Sequence, residues 1–104
     1  MLSFDTPELR DGCTKLQNMQ AWIGPVEAQS LVQMIADIEA FQNAAEMIAF
    51  LGANVDGQGC IVIDFSRKHR AILRPTLPDA PLDADGRPVW AQIRRLMLTQ
   101  IVEL

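Results

Sequence analysis

Cys60-Ile61-Val62-Ile63-Asp64-Phe65-Ser66-Arg67-Lys68-His69-Arg70-Ala71-Ile72-Leu73-Arg74 breaks the helical rhythm of the chain that precedes it. Residues 60–65 are β-branched and short, and Gly59 and Ser66 bound them, which predicts a strand with both faces mostly covered. Ser66-Arg67-Lys68 reads as a tight turn, and residues 69–74 as the hairpin partner. Strand side chains alternate, so Arg70, Ile72 and Arg74 belong to one face and Ala71 and Leu73 to the other.

Upstream, Pro25 to about Asn43 carries the clearest periodicity. Leu31, Met34, Ile35, Ile38, Phe41 and Ala45 recur at spacings of three and four, while Glu27, Gln29, Gln33, Asp37 and Gln42 fall elsewhere. This predicts an amphipathic helix on a core, and its Met residues read as packing rather than as a partner groove. Residues 44–51 continue as a short turn or helix, and Gly52 to Gly59 reads as a loop. Earlier still, Thr6-Pro7-Glu8 is a helix start: Thr caps, Pro suits the first position, and Glu favours the positive end of the dipole. Leu9, Cys13, Leu16 and Met19 keep that helix apolar on one side, with Gly12 a weak spot and Gly24-Pro25 its end. Leu2 and Phe4 suffice for a short edge strand.

Downstream, four prolines between positions 75 and 88, together with Asp85-Gly86, predict an exposed loop. Residues 94–103 read as a last strand. The order β-α-α-β-β-β predicts an α+β domain over residues 1–104, a helical pair packed on a small, mostly antiparallel sheet.

Composition agrees with a folded domain: 49% of residues are hydrophobic and 21% charged, and 104 residues leave room for a single core. No apolar run approaches the ~20 residues that span a bilayer. The start Met1-Leu2-Ser3-Phe4-Asp5 has neither the basic nor the apolar stretch of a signal peptide, so the expected compartment is the cytoplasm. Cys13 and Cys60 are accordingly expected to be reduced thiols. A single His and the absence of Cys-x-x-Cys or His-x-x-x-His spacing predict no metal site, and no cofactor motif is present.

The net charge of −4 is divided unevenly, with −7 over residues 1–66 and +3 over residues 67–104. Any nucleic-acid contact must therefore come from a local patch in the last third. Candidate chemistry is sparse: no Ser-His-Asp arrangement is available, and the loop glycines Gly57 and Gly59 lead into a strand rather than a phosphate-binding helix. One local feature remains. Arg67, Lys68, His69, Arg70 and Arg74 lie in or beside the hairpin, and Arg94-Arg95 open the last strand. They read either as a site for phosphate or another anion, or as a solvated turn that offsets the acidic helices.

From Val55-Asp56-Gly57-Gln58-Gly59 through the hairpin to Arg74-Pro75, the chain resembles the HigB-like, "killer suppression" branch of the RelE/ParE toxins. That branch reads Leu-Lys-Gly-Asp-Arg-x-Gly, then a strand, then Tyr-Arg-Leu-Ile-Phe-x-Pro. The resemblance continues through Asp85-Gly86-Arg87-Pro88-Val89-Trp90-Ala91-Gln92-Ile93 to Ile101-Val102-Glu103, and back through Trp22-Ile23-Gly24, Glu8-Leu9 and Phe4.

It implies a toxin of a plasmid-maintenance toxin–antitoxin system, cutting messenger RNA on the ribosome and held by a small antitoxin protein. Carried over residue by residue, it offers Arg70 for the phosphate and Glu103 as a base, with Arg67, Lys68, His69, Arg74 and Arg95 as an RNA- or anion-binding surface. The family's Lys falls at Asn54, its Tyr at His69, and its closing Asp-Tyr-His aligns with Glu103, Leu104 and a position past the chain. RNA cleavage needs a base, an acid and cations, so the implied activity is a weakened or absent one. A non-catalytic module holding a helix-turn-helix antitoxin is the alternative, and gyrase inhibition by protein contact a third that nothing in the sequence favours. Oligomeric state is not legible from these residues.

Overall fold

The computed structural model describes residues 2–76 and 81–104. Along the chain these form β1 (Leu2–Phe4), α1 (Pro7–Thr14), α2 (Leu16–Ile23), α3 (Pro25–Ala40), α4 (Ala44–Leu51), β2 (Asn54–Val55), β3 (Ile61–Ile63), β4 (His69–Pro75), a single 3-10 turn (Trp90–Gln92) and β5 (Leu96–Glu103). The α+β class expected from the sequence is what the chain adopts, with helices in its first half and most of the sheet in its second.

Two helix boundaries depart from the sequence reading. The first helix is broken at Lys15, whose φ of −112° and ψ of 113° are extended, and not at Gly12. The break turns α2 back so that Cys13 and Met19 are both buried. Gly12 stays helical, and its missing side chain makes room for Trp22: a Cβ there would lie 3.1 Å from the indole. The helix α3 ends at Ala40, short of Asn43, because Asn43 caps the next helix instead, its Oδ1 accepting the Glu46 N–H at 3.0 Å. Gly52 then closes α4 at φ 63°, a left-handed conformation that suits glycine.

The sheet runs β1-β5-β4-β3-β2. β1 lies parallel to β5, and every other pairing is antiparallel. Residues 54 and 55, read as loop, pair with Val62 and Ile61. The ladder between β4 and β5 carries one irregularity, an extra residue at Thr99 opposite Ile72 and Leu73. The Thr99 hydroxyl donates to the Ile72 carbonyl at 3.0 Å and seals it. Arg94 and Arg95 precede β5 rather than opening it. In the expected 75–88 loop, Leu82 bridges Pro88 and Gly86 sits at φ 77°, while Pro78 lies outside the described residues.

Leu31, Ile38, Ile61, Ile63 and Leu98 are buried in one cluster, as the two apolar periodicities require, with Ile35 and Ile101 at its margin. Ala71 and Leu73 point into that cluster. The alternate positions Val62, Arg70, Ile72 and Arg74 form the other face of the sheet, half-buried to exposed. Among the described residues no helix is long and apolar enough to cross a membrane.

Candidate functional site at the β3–β4 turn

The turn is built by Ser66, whose hydroxyl oxygen accepts the N–H groups of Lys68 at 3.2 Å and His69 at 3.1 Å. This holds His69 at the start of β4, facing the helical layer. There its Nδ1 lies 3.1 Å from the Glu27 carboxylate in the first turn of α3. Both side chains are largely covered, at 12% and 16% exposure, and Phe65 stacks on the imidazole with ring centroids 6.0 Å apart. Hydrogen bonds from Ser66 and then His69 hold the Glu27 carboxyl below its usual range, against the opposing effect of burial. A carboxylate on Nδ1 places a proton on that nitrogen and leaves Nε2 for further contacts.

Arg70, the next residue, points the other way. Its Nε donates to Asp64 Oδ1 at 2.6 Å and its terminal nitrogen to Oδ2 at 3.2 Å, a bidentate fork. The guanidinium bond holds the Asp64 carboxyl below its usual range, and the carboxylate raises the arginine in turn. The hairpin register explains the contact, since Ile63 opposes Ala71 and Asp64 and Arg70 are the next residues toward the turn on either side.

Glu103 opposes His69, and Val102 opposes Arg70. Directly opposed residues share a face and successive ones alternate, so Arg70 and Glu103 occupy opposite faces of the sheet. Leu104 continues past the strand, its N–H donating to the Lys68 carbonyl at 2.8 Å. The remaining candidates divide along β4. Arg67 and Lys68 are exposed at the turn, whereas Arg74 opposes Met97. Arg95 lies beside Thr76, whose N–H donates to the Arg95 carbonyl at 3.2 Å. Arg74 lies four positions along the strand from Arg70, about 13 Å away. The structure thus brings Arg67, Lys68, His69, Arg70 and Glu103 to one end of the sheet, and leaves Arg74 and Arg95 at the other.

Asn54 sits on the edge strand β2, exposed, and brings no cation to either group. The sequence reading missed Asp64 and Glu27, and gave Ser66 only as part of the turn. Asp64 is recoverable from hairpin register, and Ser66 from its place before two N–H donors in a turn. Glu27 lies 42 residues from His69 with no local signal joining them. Among the described residues no group of three His, Cys, Asp or Glu side chains could hold a metal ion.

No family model matches the chain, and no curated protein or solved structure does so either.

Proposed function

We propose that this chain is the toxin-like member of a bacterial toxin–antitoxin pair, acting in the cytoplasm, whose role is to bind its partner rather than to cleave messenger RNA on the ribosome. The family assignment rests on the motif resemblance along the chain. The binding role rests on one observation: Arg70 and Glu103, the two residues that the resemblance assigns to catalysis, project from opposite faces of the sheet. In-line cleavage requires the base at the 2′-OH and the cation at the adjacent phosphate to reach one nucleotide from one side. Arg70 is moreover already occupied by Asp64, so a phosphate must displace a carboxylate to reach it.

The test is to induce the gene in a bacterial host without its neighbouring reading frame. Growth should continue with intact transcripts, and the chain should co-purify with a small helix-turn-helix protein encoded beside it. Growth arrest with cut transcripts, abolished by Arg70→Ala, would overturn the proposal.

A second reading, an endonuclease working with unfamiliar side chains, is favoured by the His69–Glu27 pair. An imidazole oriented by a carboxylate is a working acid or base, and it shares its face with Glu103. In that case His69→Ala would abolish cleavage while Arg70→Ala would not.

A further inference from the structure

Past Phe4 the first strand leaves the sheet, and β5 runs on without it. β1 pairs only with Leu96, Met97 and Leu98, and the Asp5 N–H donates once more to the Leu98 carbonyl at 3.0 Å. From Thr99 to Glu103, β4 is the single strand neighbour of β5 among the described residues. At ~3.4 Å per residue this leaves an open edge of roughly 17 Å. An open edge presents alternating N–H and C=O groups that another extended chain can satisfy.

The edge lies in a groove. A volume of about 530 Å³ opens between Thr99, Gln100 and Ile101 on the strand side and Leu9 and Trp22 on the helical side. Gly12 sets its shape, since the indole rests where a side chain on α1 would stand. Trp22 remains 46% exposed there, an aromatic face turned toward whatever enters. Glu8 and Asp11 form the helical rim, and among the described residues no Lys or Arg lines the groove. Outside the lining, Lys15 reaches Asp11 at 4.0 Å from an exposed position.

We infer that this groove binds an extended, basic segment of a protein partner, which adds to the sheet as a strand along β5. The main chain of the segment pairs with the edge, and its alternate side chains enter the groove. Glu8 and Asp11 select Lys or Arg there, and Trp22 gains a cation over its ring. A second copy of this chain is the poorer occupant. A two-fold pairing of β5 edges faces the same carboxylates toward one another. The inference rests on the binding role proposed above and names the chemistry of the partner.

The probe is a synthetic eight-residue peptide alternating Lys or Arg with Val, titrated calorimetrically into the full chain. The controls are an acidic peptide of equal length and the basic peptide N-methylated at alternate residues, which cannot add as a strand. The basic peptide should bind, the acidic one should not, and N-methylation should weaken binding at least about tenfold. Amide exchange at Gln100 to Val102 should slow on binding. The double variant Glu8→Gln with Asp11→Asn, both exposed or half-exposed positions, should weaken binding roughly five- to tenfold and flatten its salt dependence.

Failure of the basic peptide to bind, indifference to N-methylation, or indifference to the double variant overturns the inference. So does a dimer of the unliganded chain that the peptide does not disperse. The two readings remain separable. A neighbour-encoded protein that binds with full affinity to the double variant leaves the binding role standing and sinks the groove. A peptide that behaves as expected beside a neighbour that never binds does the reverse.

Discussion

Leu31 is fully buried and Ile35, one helical turn further, is only partly so. Truncation at the two positions should therefore separate. Leu31→Ala leaves a cavity that α3 and the sheet cannot close and should destabilise by ~2–5 kcal/mol. Ile35→Ala, beside a surface hollow lined by Leu16 and Val32, should cost about half as much or less, because water and neighbouring side chains can fill the space. Denaturant unfolding of both variants measures the difference. The cysteines separate in the same way. Burial pushes the Cys13 thiol up to about 11, whereas Cys60 is partly exposed and raised less, by burial and Asp56, with Arg74 opposing. The thiolate is the reactive form. At mildly alkaline pH iodoacetamide should modify Cys60 in the native protein and Cys13 only once it unfolds, a pattern that mass spectrometry reads directly.

At the scale of elements, the Glu27–His69 contact ties α3 to β4, and its pH dependence has a definite sign. Glu27 titrates below its ordinary value of 4.5 in the folded chain. A lowered carboxyl contributes stability that is present above that ordinary value and lost as pH falls through the lowered one. Glu27→Gln, or Ser66→Ala, which removes the leading hydrogen bond, should flatten the acid limb of a stability-versus-pH profile. Little should change in its slope above pH ~6, where the carboxyl is ionised in both states. Much at this scale was legible beforehand. The β-branched run at 60–65 and the alternation from Arg70 to Arg74 gave the hairpin, and the spacing from Leu31 to Ile38 gave α3, because both signals are local. The hidden features are set by distant contacts. Nothing around Lys15 marks a helix break, since the break exists to bury Met19. Asn54 and Val55 become a strand only when β3 lies alongside. The candidate site divides likewise. The sequence placed Arg67 to Arg70 together, but the opposition of Arg70 and Glu103 follows from β4–β5 register, which spans 32 residues from Arg70 to Val102.

For the whole molecule, the decisive joint is the parallel pairing of β1 with β5, which connects the beginning of the described chain to its last strand. β1 is three residues long, and its hold on the sheet is made by side chains as well as by the ladder. Leu2 is buried against Leu96, the Leu2 N–H donates to Glu39 of α3 at 2.7 Å, and the Ser3 hydroxyl donates to the Leu96 carbonyl at 3.3 Å. The Glu39 carboxylate therefore occupies a donor that would otherwise face outward from the edge. β4, by contrast, has a strand on either side, and its Ala71 and Leu73 are fully buried. Opening free energies follow burial and pairing, so native-state hydrogen exchange should be slowest in β4 and the facing part of β5, and fastest in β1 and the two-residue β2. Deleting residues 2–5 should then do more than remove a small amount of apolar contact. It uncovers the Leu96–Leu98 edge and joins it to the open edge at 99–103, so that the eight-residue β5, paired with β4 on one side, has its whole other edge open. A long, apolar open edge invites pairing with another chain. The expected outcome is a shortened chain that folds, loses some stability, and sediments as a heavier, concentration-dependent species than the full chain. Glu39→Gln, which weakens the cap but leaves the strand, should speed exchange at Leu2 without that association. A deletion variant with the sedimentation behaviour of the full chain would show that β1 does not guard this edge.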